Sequence, residues 1–193
     1  MTPRQITKKF VQAACLGILF PVGLACRFGR NSTFYMFFAH IFALAPGVPG
    51  NFLRSAFYKY SLRHCSLDTT IAFGTFFSDC DASVGPTVSI GSFCVIGRAR
   101  IGARSQISSH VEIPSGRHEH ERDAERRLVG SVYSEVVIGA DCWIGASAIV
   151  MANVGHGTTI GAGSVVVKEI PAGVVAVGNP ARVIRAVHAE TEE

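Results

Sequence analysis

A six-residue repeat constrains this chain more than any other feature. From Ile138 to Val167 an aliphatic residue, usually followed by glycine, recurs about every six residues, with one shorter interval between Val150 and Val154. The same spacing begins upstream at Val84. A unit this short buries its apolar side chains only by stacking on its neighbours. It fits one flat side of a solenoid coil, with the aliphatic side chain inward and glycine at the corner, where a Cβ is disfavoured. The spacing therefore predicts a mainly β solenoid.

The repeat divides the chain into three regions. Residues 1–66 carry no hexad, residues 67–178 form the predicted solenoid, and residues 179–193 follow it. The aliphatic spacing stops between residues 114 and 135, where charged residues become frequent. A long excursion from a regular coil is typical of a functional loop. We therefore expect residues 114–135 to be a catalytic insertion.

The first region is apolar and is predicted to be helical. Two apolar runs, Phe10–Cys26 and Phe34–Ala45, follow the basic residues Arg4, Lys8 and Lys9. No small-x-small cleavage site follows the first run, which argues against a secretory signal. Three placements stay open: a hairpin at or partly inserted in a membrane surface, soluble packing on the solenoid or at an oligomer interface, or a true span. The aromatic enrichment of the second run favours the membrane surface.

The C-terminal region contains a predicted helix start. Asn179 can act as an N-cap and Pro180 fits the first turn. We expect a helix over residues 181–189 that covers the open end of the solenoid, followed by an acidic tail.

Composition excludes some partners. The net charge is +4 and the basic residues form no dense block, so no nucleic-acid surface is indicated. The six cysteines include no CxxC pair, and Cys80, Cys94 and Cys142 fall inside the repeat. We expect them to be reduced, buried thiols in a cytosolic compartment.

Three motifs resemble a known family. Trp143-Ile144-Gly145, the segment 160–166 followed by Lys168, and the segment 178–185 together resemble the hexapeptide-repeat acyltransferases, in particular the sugar and polysaccharide O-acetyltransferases. The resemblance covers residues 67–185. It implies a left-handed parallel β-helix, a homotrimer, and acetyl-CoA as acyl donor in the groove between two subunits. It does not cover the apolar N-terminal region.

Acyl transfer to a hydroxyl needs a base, and histidine has a suitable pKa. The family's base lies in the insertion, which implies His118 in Ser115-Gly116-Arg117-His118, with His120 as the alternative. Alternate residues of an extended segment face opposite ways, so we expect only one of the two to reach the groove. The group that orients the base stays open among a backbone carbonyl and the carboxylates of Asp79, Asp81, Glu112, Glu119 and Glu125.

The resemblance also implies the cofactor contacts. Small residues let the pantetheine arm lie against the backbone, and cations suit the CoA phosphates. Trp143 and Asp79 are expected at the acceptor. A backbone N–H near Trp143 or Ala146 is the expected oxyanion donor, with Ser147 as a weaker candidate. The implied cofactor-binding residues are Ala146, Ala162, Gly163, Val167, Lys168, Arg182 and Arg185.

The expected function is acetyl-CoA-dependent O-acetylation of a sugar hydroxyl, in the synthesis of surface polysaccharide or a lipid-linked glycan. The expected location is the inner face of a bacterial cytoplasmic membrane. Two alternatives stay open: an N-acetyltransferase of an amino sugar or small amine, and a β-helix scaffold without catalysis. No metal is expected, because the spacing of His110, His118 and His156 does not resemble the zinc site of the gamma-class carbonic anhydrases.

Overall fold

Three helices precede a long series of short strands. The computed structural model describes residues 3–28, 32–116, 120–122, 124, 127–131 and 133–187. The helices, which we call the helical unit, are α1 (Pro3–Phe28), α2 (Ser32–Ala43) and α3 (Gly47–Ser61). α1 and α2 cover nearly all of the two apolar runs of the first region, which the sequence predicts to be helical, and α3 follows them in the same region.

The strands that follow form a three-walled solenoid. Successive strands move from wall A to wall B to wall C and back to A, and neighbours within a wall are parallel except at the last strand of wall B, which is antiparallel. Wall A contains β1 (His64–Cys65), β4 (Ser83–Val84), β7 (Ala99–Ile101) and β12 (Val136–Ile138). Wall B contains β2 (Thr70–Ile71), β5 (Ser89–Ile90), β8 (Gln106–Ile107), β13 (Trp143–Ile144), β15 (Thr159–Ile160), β17 (Val174–Val177) and β18 (Arg182–Ala186). Wall C contains β3 (Phe76–Phe77), β6 (Val95–Ile96), β9 (Glu112–Ile113), β14 (Ile149–Val150) and β16 (Val165–Val166).

The hexad residues fill the interior of the solenoid. Ile90, Ile96 and Ile101 are aligned with buried aliphatic residues in the next coil and are themselves buried. The short interval noted in the sequence is absorbed by single bridges that join Ile138, Val154 and Ile170 along wall A. The predicted fold class, a left-handed parallel β-helix, is confirmed.

Glycine marks corners where coils approach closely. A Cβ on Gly145 would lie 2.4 Å from the backbone nitrogen of Ala162 in the next coil. Glycine at this position therefore keeps the two coils at hydrogen-bonding distance. Cys94 and Cys142 are buried as predicted, but Cys80 is exposed, because it lies in a corner between walls C and A rather than on an inward position.

The helical unit closes the first end of the β-helix. Phe57 and Tyr58 of α3 are fully buried, and the Tyr58 ring meets Phe77 of the first coil at 4.8 Å between centroids. By length and composition α1 could cross a membrane, since Lys9–Cys26 is apolar over 18 residues, of which 17% are buried.

The predicted C-terminal helix is wrong at its described residues. Arg182–Ala186 is strand β18, which runs antiparallel to β17. The reversal begins at Gly178, whose φ of 102° suits a turn better than a helix start. The segment is rich in β-branched residues and lies on the otherwise open edge of wall B, so it covers that edge as a strand.

Candidate functional site

The insertion leaves the β-helix at the corner between walls C and A. We call this edge the insertion corner; it contains residues 78–82, 97–98, 114–135, 151–153 and 167–169 of successive coils. Coils are about 4.8 Å apart. Asp79 therefore lies two coils before the insertion and Lys168 two coils after it, on one edge of the molecule.

Ser115 and Arg98 fasten the insertion to this corner. The Arg98 backbone N–H donates to Ser115 Oγ at 2.9 Å, and the Ser134 N–H donates to the Ser115 carbonyl at 2.8 Å. These bonds draw the two ends of the insertion together. A Cβ on Gly97 would lie 2.5 Å from Ser115 Oγ, so glycine makes room for the contact.

The Arg98 guanidinium lies between two carboxylates. Its Nε donates to Asp79 at 3.0 Å, a second nitrogen lies 3.0 Å from Asp81, and the Tyr133 ring is 5.9 Å away. Asp79 and its partner are both largely shielded from solvent, with side-chain exposures of 15% and 32%. One side chain thus connects the first coils to the end of the insertion.

A cavity of about 830 Å³ opens at the insertion corner. The helical unit bounds it on one side and the insertion corner on the other. Positively and negatively charged side chains both line it. Its volume is in the range of small-molecule sites. Its lining includes Tyr35, Arg63, Asp79, Arg98, Ser115 and Tyr133.

The predicted base lies outside the described residues. His118 falls in the gap at 117–119, and so does Glu119; Glu125 is also outside. His120 begins β10 (His120–Arg122), which pairs antiparallel with β11 (Leu128–Ser131) in the insertion. Glu112, another candidate to orient the base, is exposed on the outer face of wall C.

The small residues implied for the cofactor lie at the opposite edge of wall C. This edge, the alanine corner, contains residues 145–147 and 161–163. Ala146, Ala162 and Gly163 are exposed there, and the Gly163 N–H donates to the Ala146 carbonyl at 2.8 Å. The absence of large side chains leaves the backbone of two adjacent coils accessible.

Trp143 lies on wall B just before the alanine corner. Its side chain is 58% exposed and its Nε1 donates to Ser108 Oγ at 3.3 Å. The Trp143 and Ser147 backbone amides donate to Thr158 and Ser109, so both are used within the β-helix.

The predicted cations occupy two different places. Val167 and Lys168 are at the insertion corner, while Arg182 and Arg185 are exposed on β18 beyond the last coil of wall B. The structure thus distributes the predicted cofactor residues over three places: the alanine corner, the insertion corner and strand β18 of wall B. The sequence analysis did not predict the roles of Arg98 and Ser115; the break in the hexad at residue 114 was the signal that could have pointed to Ser115.

One acidic cluster could be considered for a metal. Among the described residues, Asp79, Cys80 and Asp81 offer ligand atoms within 4.8 Å of one another. Arg98 is within 3.0 Å of both carboxylates, which places a cation there already.

Comparison with known proteins relates the chain to acetyltransferases. No family model matches the chain. The WcaF protein of Escherichia coli K12, assigned to colanic acid biosynthesis as an acetyltransferase, is 40% identical over 92 residues, which are 47% of this chain and 48% of that one. Galactoside O-acetyltransferase of the same organism is 45% identical over 67 residues, 33% of each chain. The chain spans about half or less of the length of these curated relatives.

A solved structure extends the similarity to most of the fold. Galactoside acetyltransferase in complex with coenzyme A has a TM-score of 0.69 and 25% identity, covering 82% of this chain and 80% of that one.

Proposed function

We propose that this chain, whose β-helix is of the kind that hexapeptide-repeat acetyltransferases have, is an acetyl-CoA-dependent O-acetyltransferase that acts on a sugar hydroxyl. The observation that carries the proposal is the position of the insertion. Its histidine-containing segment leaves the β-helix beside a polar cavity, at the corner that also bears Lys168. A base, an acceptor site and a phosphate-binding cation are the parts that this reaction requires.

The proposed base is His118, with His120 as the alternative. It removes the proton of the acceptor hydroxyl as the oxygen attacks the thioester carbonyl carbon. The tetrahedral intermediate collapses with cleavage of the C–S bond, and the leaving thiolate takes the proton from the imidazolium. The products are the acetylated sugar and free coenzyme A.

The proposed oxyanion donor is the Ala146 backbone N–H. The neighbouring amides of Trp143 and Ser147 already donate within the β-helix, which disfavours both. A preorganised backbone donor stabilises the charge that develops on the carbonyl oxygen.

The proposed donor site combines the two edges of wall C. The pantetheine arm lies along Ala146, Ala162 and Gly163, and cations meet the phosphates. A homotrimer would set the insertion corner of one subunit against the alanine corner of the next and so unite the groups. Val167 and Lys168 contact the cofactor from the insertion corner and Arg182 and Arg185 from β18, while Trp143 and Asp79 contact the acceptor.

We further propose a role in surface polysaccharide or lipid-linked glycan synthesis at the inner face of a bacterial cytoplasmic membrane. The exposed apolar surface of α1 supports this location, because a soluble protein rarely exposes so large a patch. The similarity to WcaF, named for colanic acid biosynthesis, supports the glycan role.

The test is release of coenzyme A thiol with a panel of methyl hexosides and, separately, amino sugars. We expect acetyl transfer to at least one methyl hexoside and a loss of about 10²- to 10⁴-fold in kcat for His118→Ala. His156→Ala, at the corner between walls A and B, is the matched control and should keep full activity. Transfer only to amines would replace the O-acetyl proposal with the N-acetyl alternative, and no transfer at all would favour a scaffold.

A further inference from the structure

The outer face of α1 is apolar along its whole central part. Phe10, Ile18, Phe20 and Leu24 are exposed at 76%, 71%, 50% and 39%. The other exposed residues between them are alanine, glycine and proline, and from Phe10 to Cys26 the helix has no charged residue. An exposed apolar helix face is unfavourable in water and indicates a surface that another apolar surface covers.

The inner face of α1 is already held by the protein. Leu19, Gly23 and Cys26 are buried, and a Cβ on Gly23 would lie 2.3 Å from the Tyr60 side chain of α3. Gln12, the one polar residue of this stretch, donates to the Leu67 carbonyl at 2.9 Å. A helix packed on α3 and hydrogen-bonded to the first coil cannot cross a bilayer without breaking these contacts. Its outer face can only lie against a surface.

The second helix continues this character. Phe37 and Ile41 of α2 are exposed at 58% and 46%. Leu44 and Val48, at the turn into α3, are exposed at 66% each. The helical unit thus presents large apolar side chains from more than one of its elements.

The charges of the chain are divided unevenly. Residues 1–67 contain eight lysines and arginines and no aspartate or glutamate, while all 14 acidic residues lie from Asp68 onward. A second copy of the same unit would bring like charges together. A surface that is apolar inside and negative outside complements both features, because apolar side chains enter the acyl boundary and cations meet the headgroups.

We infer that the helical unit binds an anionic phospholipid bilayer in the plane of its surface, with α1 lying along the interface rather than spanning it. Cys26 of α1 and Tyr35 of α2 line the cavity from the buried side of the helical unit, so the cavity lies behind the helices that contact the bilayer. This inference deepens the proposed membrane location and rests on it. The binding assay needs no acetyl transfer, so failure of the inference and failure of the proposed reaction are distinguishable.

The test is co-sedimentation of the full chain with vesicles of phosphatidylcholine, with and without phosphatidylglycerol. We expect binding that requires phosphatidylglycerol and weakens as salt is raised. The double variant Ile18→Ser with Phe37→Ser should bind about tenfold less tightly or worse. Phe93→Ser, which removes a comparably exposed phenylalanine (49%) from the β-helix, should bind as the native chain does.

A second measurement separates lying on the bilayer from crossing it. Thr2→Cys in a Cys80→Ser background should stay reactive toward a membrane-impermeant maleimide when the protein is bound to sealed vesicles. Protection of that thiol inside the vesicle would overturn the in-plane arrangement. Equal binding of the native chain to neutral vesicles would overturn the choice of an anionic bilayer. It would also be overturned if the native chain bound no vesicles and the double variant formed a smaller oligomer than the native chain.

Discussion

At the scale of single residues, Arg98 connects parts of the chain that are distant in sequence. Its backbone holds Ser115 at the start of the insertion, and its guanidinium joins Asp79 and Asp81 beneath Tyr133. We propose that it positions the segment that carries His118. Its effect on catalysis would come from geometry, since a misplacement of about 1 Å can reduce a rate by about 10²-fold.

Arg98→Gln should lower kcat by about tenfold to hundredfold and leave the KM for acetyl-CoA unchanged, because the alanine corner is not altered. Arg98→Lys keeps the charge without the planar fork and should recover part of the loss. Steady-state kinetics on both variants provide the measurement, with Arg104→Gln as the control. An unchanged kcat in Arg98→Gln would show that Arg98 does not position the insertion.

Thiol reactivity also differs residue by residue. Burial raises the pKa of Cys94 and Cys142, and it raises that of Cys65 to about 12. Cys80 is the exposed cysteine. Titration of the native chain with an aromatic disulfide reagent at neutral pH should show one fast thiol, which Cys80→Ser removes, and the buried thiols should react only on unfolding. Fast reaction that survives in Cys80→Ser would contradict this.

At the scale of elements, Arg54 joins the helices to the β-helix. The side chain is fully buried in α3. Its Nε donates to the Ile71 carbonyl of β2 at 2.7 Å, and its other nitrogens donate to carbonyls that end α2 and to Asn51 Oδ1 at 2.6 Å. The guanidinium thus joins the Ile71 carbonyl of the first coil to the Ala45 carbonyl that follows α2, at 2.7 Å each, which fixes the turn between α2 and α3 on the first coil.

Arg54→Met keeps most of the volume but removes the side-chain donor of the Ile71 and Ala45 carbonyls. We expect a loss of roughly 3 kcal/mol in the free energy of unfolding. Arg104→Met, which removes an exposed arginine paired with Asp141, should leave the free energy of unfolding nearly unchanged. Urea unfolding of both variants measures the difference, and equal midpoints would contradict the structural role of Arg54.

At the scale of the whole molecule, different elements close the two ends of the β-helix. The helical unit covers the first coil through Phe57 and Tyr58, and β18 pairs with β17 at the last coil. An uncovered end would expose strand edges and apolar side chains to association.

Removal of residues 1–61 should therefore lower Tm strongly and increase binding of a hydrophobic dye, since each buried Phe or Tyr contributes about 1.5–3 kcal/mol. Removal of residues 188–193 should leave both unchanged. Thermal melts with dye fluorescence measure the two truncations. A truncated β-helix that melts like the full chain would show that the helical unit is dispensable for stability.

The sequence predicted the β-helix, which the structure confirms, while the predicted site residues stay predictions. The hexad fixes the inward residues, such as Ile96 and Ile144, because each aliphatic must stack on the next coil. It could not predict that Asn179 and Pro180 lead into a strand, because local capping signals are overridden by the open edge of wall B. The roles of Arg98 and Arg54 depend on partners 17 to 19 residues away, which no local pattern encodes.

The sequence by itself determined the solenoid, the interruption at residue 114, and the separation of an acid-free apolar segment from the rest of the chain. These features depend only on the spacing and composition of residues along the chain. The tertiary structure alone decided which residues share an edge: Asp79, Arg98 and Lys168 lie along one corner, and Ala146 and Ala162 lie at another. The reason is physical. A three-walled coil brings every third strand into register, so neighbours in space are set by the winding of the chain and by the length of each corner.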